Sequence, residues 1–132
     1  MQVVVNGLIP CVVVGYFLTI LIETPVLIFG LSSRHSLKSR IVAGFLLTAC
    51  SYPFVSFLFP VWFEPQSLPY LWTAETFAPV SECFVFWLIF CRRLKSNRRA
   101  LARDFVTIVS ANLLSFAVGE MLKQMGILQF QS

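Results

Sequence analysis

The sequence holds six acidic residues, and four of them (Glu23, Glu75, Glu82 and Glu120) sit inside long apolar runs. An ionised carboxylate facing lipid costs several kcal/mol, so such acids face the interior of a helix bundle. Carboxyls in that position can take up and release protons, or coordinate a cation through paired oxygens. Thr48, Ser51 and Asn112 lie in neighbouring apolar runs and can donate hydrogen bonds to them. Glu23, Glu82, Asn112, Thr48 and Ser51 therefore form the expected intramembrane binding layer, with Glu75 and Glu120 as a secondary pair. The alternative is simpler: each acid is protonated and only bonds a neighbouring helix.

The elements that must carry these residues follow from composition. The chain has 132 residues, 58% of them hydrophobic and 12% charged, with a mean hydropathy of +0.81. A soluble domain averages about 45–50% apolar and about 25% charged residues. A core of this size cannot cover so much apolar side chain, so the solvent is lipid. Four runs reach the roughly 20 apolar residues that a helical span needs: Gly7–Leu31, Ile41–Trp62, Tyr70–Cys91 and Asp104–Gly126. They lack the alternation of barrel strands. The first run is expected to be a span and not a cleaved signal peptide, since no basic residue precedes Arg34. The fold class is an all-α membrane domain of four helices over residues 1–132.

Heights follow from a rise of 1.5 Å per residue. Glu23, Glu82 and Asn112 each fall about 12–13 Å from one end of their spans, and Thr48 and Ser51 about 10–15 Å. Glu75 and Glu120 fall in a second layer about 24 Å up. Glu75 and Glu82 are nearly two turns apart and share a helix face. Glu120 has Lys123 one turn on, an expected i,i+3 ion pair.

Nine of the ten Lys and Arg residues lie between runs one and two or between runs three and four, including the edge of run four. By the positive-inside rule both loops are cytoplasmic and both termini face outward, which suits a multi-pass protein of the cytoplasmic (inner) membrane. The outer link, with Trp62, Tyr70 and Trp72, reads as an aromatic belt. Arg92, Arg93, Arg98 and Arg99 are expected to contact lipid head groups. The net charge of +4 is explained by topology, and no motif supports nucleic-acid binding. The partners expected are the bilayer, further copies of the chain, or a larger membrane complex.

Sliding the chain by 59 residues aligns Glu23–Phe57 with Glu82–Phe116, with nine identities in 35 pairs. The polar matches include Glu23/Glu82, Thr48/Thr107, Ser51/Ser110 and Ser56/Ser115. The expectation is two tandem hairpins, residues 7–62 and 70–126, related by an axis along the membrane normal. Pro25, Pro53 and Pro79 free the carbonyls of Leu21, Ala49 and Glu75, which then need other partners. A stripe of small residues (Thr107, Ala111, Ser115, Gly119) permits close helix approach.

His35, the single histidine, is expected to be solvated in the first basic loop. Cys11, Cys50, Cys83 and Cys91 read as small apolar fillers. No cofactor is expected, nor any Cys/His/Asp metal cluster, and nothing beyond the buried carboxyls argues for an enzyme. Two functional readings remain. One is proton- or cation-linked permeation of a small solute or ion, as an oligomer. The other is a non-catalytic accessory or scaffold subunit of a larger membrane complex.

Overall fold

A computed structural model describes residues 2–64, 67–91 and 97–126, with side chains from Val12 onward. The first helix runs Gln2–Gly30. The second runs Leu37–Pro53 and continues through a π-helical stretch, Phe54–Leu58, to Phe59–Trp62. The third runs Leu68–Phe86 and ends in a π-helical stretch, Trp87–Cys91. The fourth runs Arg98–Gln124. Each has a stretch long and apolar enough to cross a membrane: Val12–Gly30, Leu37–Trp62, Leu68–Cys91 and Arg98–Gln124. No strand occurs among the described residues.

The second, third and fourth helices begin before their apolar runs, and polar caps are the reason. Ser36 Oγ accepts from Ser39 N at 3.2 Å, starting the second helix four residues before Ile41. Ser67 Oγ accepts from Tyr70 N at 3.3 Å, with Pro69 just inside the third helix. Asn97 Oδ1 accepts from Arg99 N and Ala100 N at 3.1 and 3.3 Å, so Arg98, Arg99 and Arg103 lie on the fourth helix. Such caps satisfy backbone N–H groups that have no partner within the helix.

The helices pack in a ring: first on second, second on third, third on fourth, and fourth back on first. Leu27, Leu31, Leu47, Phe86, Ile108 and Ala111 meet in the centre, nearer the end that carries Arg34, Arg40 and Arg103 (the basic end). At the opposite end Phe77 packs against Phe54 and Phe59, with ring centroids 5.7 and 5.1 Å apart. The second helix widens just after Pro53, which has no N–H to give Ala49. Tyr70 Oη then donates to the carbonyl of Val55 inside the widened stretch, at 3.1 Å. Phe29, Val61, Trp62 and Trp72 point outward and exposed, as lipid-facing side chains do.

Glycines permit close approaches between helices. A Cβ on Gly44 would collide with the side chain of Thr24, and one on Gly30 with Thr107. The stripe of small residues on the fourth helix thus meets the first helix at Thr107, although Gly119 has open space in front of it. Overpacking at such a contact costs about 1–3 kcal/mol, against a gain of about 1 kcal/mol in helix propensity. Gly44→Ala should therefore lower the midpoint of thermal unfolding in detergent, followed by circular dichroism.

Candidate functional site

The structure brings Glu23, Glu82, Thr48, Ser51 and Asn112 into one polar layer across all four helices. Thr48 Oγ1 donates to Glu23 Oε2 at 2.9 Å, and Ser115 Oγ to Glu23 Oε1 at 2.8 Å. Ser51 Oγ donates to Glu82 Oε1 at 2.6 Å, and Asn112 Nδ2 to Glu82 Oε2 at 2.7 Å. Each acid, on the first or third helix, thus takes one bond from the second helix and one from the fourth. Both glutamates are sealed, at 2% exposure each.

The donors differ in what else they can do. Thr48 Oγ1 also reaches Gly44 O at 3.0 Å, Ser51 Oγ reaches Leu47 O at 3.2 Å, and Ser115 Oγ reaches Asn112 O at 2.9 Å. A hydroxyl has one proton and two lone pairs. Each can turn its proton to the backbone and accept from a protonated carboxyl. Asn112 cannot: its Nδ2 also donates to Ile108 O at 3.1 Å, and a carbonyl only accepts, which fixes the amide orientation. Glu82 Oε2 is therefore always an acceptor, while both oxygens of Glu23 face hydroxyls of either role.

Sequence reasoning left Ser115 out of this layer, although it stands one turn from Asn112 on the same face. The 59-residue register of the second and fourth helices also differs from expectation. It pairs Ser51 with Ser110, yet Ser51 is buried and Ser110 is exposed.

The secondary acids lie elsewhere. Lys123 Nζ meets Glu120 Oε1 at 2.6 Å, the expected i,i+3 pair, and Glu75 is half-buried on the third helix. Of the arginines expected at lipid head groups, Arg98 and Arg99 are exposed; Arg92 and Arg93 lie outside the described residues.

The basic end holds a second polar cluster that corrects the reading of His35. That residue is not solvated but buried, at 5% exposure, with its ring edge-on to Phe86 at 5.1 Å. His35 Nε2 meets Asp104 Oδ2 at 3.0 Å. Asp104 is fully buried and also accepts from Ser32 N at 2.6 Å and Ser32 Oγ at 3.0 Å. Around it, two arginines cover the end of the first helix. Arg40 donates to the carbonyls of Ile28, Ser32 and His35 at 2.7, 3.2 and 3.1 Å, and Arg103 donates to Gly30 O at 2.9 Å. The expected absence of a Cys/His/Asp cluster is also corrected. His35, Cys91 and Asp104, all buried, place their ligand atoms within 4.8 Å of one another. The 55 residues between His35 and Cys91 hide this in the sequence. The available signal was Asp104, the sole acid among the basic residues of that end.

No protein family, curated protein or solved structure matches this chain.

Among the described residues, Thr24 Oγ1 is the buried side-chain polar atom with no hydrogen-bond partner. An unsatisfied buried hydroxyl costs about 1–3 kcal/mol, and an apolar group of the same shape avoids that cost. Thr24→Val should therefore raise the thermal midpoint in detergent, whereas a lower midpoint would show that this hydroxyl is partnered in the folded protein.

Proposed function

We propose that this chain is a non-catalytic accessory or scaffold subunit of a membrane assembly, in which the Glu23–Glu82 layer holds the helices in register. One observation carries the reading: both carboxyls are sealed, and every one of their four oxygens accepts a side-chain hydrogen bond. A sealed and satisfied layer serves helix association. The open groove of 430 Å³ on the third helix, lined by Trp72, Thr73, Thr76, Phe77 and Val80, does not include either acid.

A second reading, proton- or cation-linked permeation by an oligomer, is favoured by the three hydroxyl donors. Each has a backbone carbonyl to turn to, so the layer stays bonded whether a carboxyl is protonated or ionised. In that reading Glu23 and Glu82 are exchangeable proton sites, and Thr48, Ser51 and Asn112 orient them.

The architecture proposed with either reading is a duplicated hairpin with both termini outside and both basic loops in the cytoplasm. The hydrogen-bond pattern supports duplication in a revised register. Glu23 bonds Thr48 of its own hairpin and Ser115 of the other; Glu82 bonds Asn112 of its own and Ser51 of the other. Exchange of the hairpins maps Glu23 onto Glu82 at an offset of 59, and Thr48 and Ser51 onto Asn112 and Ser115 at an offset of 64. The orientation rests on the basic residues, and a cysteine at Ser36 should react with a membrane-impermeant thiol reagent only from the cytoplasmic side. Labelling from outside would invert the topology.

Glu→Gln separates the two functional readings, because glutamine keeps the shape but cannot exchange a proton. In the accessory reading, Glu23→Gln and Glu82→Gln are nearly silent in thermal unfolding, while Glu→Ala at either position destabilises the bundle by about 1–2 kcal/mol. Liposomes holding the unmodified chain then show the proton flux of empty liposomes. A flux that either glutamine abolishes overturns the accessory reading in favour of permeation.

A further inference from the structure

We propose that His35, Cys91 and Asp104 bind one divalent transition-metal ion of borderline softness, best matched by Zn²⁺, at the basic end of the bundle. The three residues come from the first loop, the end of the third helix and the first turns of the fourth. Their ligand atoms lie within 4.8 Å of one another and all three side chains are buried. Imidazole nitrogen, thiolate sulfur and carboxylate oxygen together select zinc-like ions over Mg²⁺ or Ca²⁺, which prefer oxygen alone.

The geometry is close to what such an ion needs. Zinc bonds of about 2.0–2.3 Å in a tetrahedron place ligand atoms about 3.3–3.7 Å apart. His35 Nε2 and Asp104 Oδ2 are already 3.0 Å apart, so the adjustment left falls mainly to the Cys91 thiol. The outer shell is built as well. Ser32 N fixes Asp104 Oδ1 at 2.6 Å and Ser32 Oγ holds Oδ2 at 3.0 Å, while Phe86 and Phe90 set the imidazole ring at 5.1 and 6.4 Å. Bonds of this kind orient ligands in metal sites.

Charge balance is compatible with the ion. A carboxylate and a thiolate add to −2, which a divalent cation cancels, so the loaded site is neutral, as burial demands. On binding, the Cys91 thiol loses its proton to solvent, and His35 presents an unprotonated nitrogen in place of its bond to Asp104. Three protein ligands leave a fourth position for water or an incoming donor.

The test uses the purified full chain in mild detergent, with Co²⁺ as a spectroscopic probe and Zn²⁺ titrated against a chromophoric chelator. The expected result is one ion per chain, a thiolate-to-cobalt charge-transfer band and the intense visible bands of a four-coordinate site. Cys91→Ser should remove the charge-transfer band and weaken Zn²⁺ binding by at least about tenfold, with helix content unchanged. Serine is nearly the shape of cysteine, so it spares the hydrogen bonds of Asp104 that hold the fold. The spectrum of the unmodified chain decides alone if the variant fails to fold. A cobalt spectrum without a thiolate band, no stoichiometric ion, or a folded Cys91→Ser chain with unchanged Zn²⁺ affinity would overturn the site and leave His35–Asp104 as a helix tie.

Discussion

Lipid offers no hydrogen bonds, and two carboxyls at the centre of a bundle need partners for four oxygens that only other helices can supply. That requirement shapes the whole ring. Glu23 and Glu82 stand on opposite helices, the first and the third, and their donors stand on the other two. Each donor helix serves both acids: the second through Thr48 and Ser51, the fourth through Asn112 and Ser115. Their donors are three residues apart, about one helical turn, so one face of each helix reaches both carboxyls. Sliding or rotating any helix breaks at least one bond to a buried acid.

The basic end solves a different problem. A helix leaves its last carbonyls without partners, and the first helix ends where the chain must turn at once into the second. Arg40 and Arg103 supply the missing donors from the second and fourth helices. Asp104 collects Ser32 and His35 of the same turn. Three residues that sequence topology assigns to the basic loops, His35, Arg40 and Arg103, are thus bonded to the bundle. Arg40 does structural work beyond its vote in the positive-inside rule, and so does Arg103.

These two polar centres sandwich the apolar core of Leu27, Leu31, Leu47, Phe86 and Ile108. The centres differ in adaptability. The inner layer has three hydroxyls that can reverse their roles, so it tolerates a change of protonation without an unpaired atom. The basic-end cluster is fixed by a backbone N–H and by guanidinium groups, which only donate. Its freedom lies in the imidazole and thiol, the two groups with metal-ligand chemistry.

Much of this architecture was legible in the sequence. Hydropathy and length give four spanning helices, because lipid demands about 20 apolar residues per crossing whatever the packing. Helical rise alone brings Glu23, Glu82, Asn112, Thr48 and Ser51 to a common depth, since depth depends on position along a single helix. Direction around the helix depends on the neighbours, and this the tertiary structure decided. It turned Ser115 toward Glu23 and Ser110 to the outside, against the 59-residue register. It buried His35, because a basic loop of a few residues folds back when Asp104 and the Phe86 ring wait beneath it. It also gathered His35, Cys91 and Asp104 from three segments. No spacing rule reaches across 69 residues, and such a cluster exists only once the third and fourth helices close against the first loop.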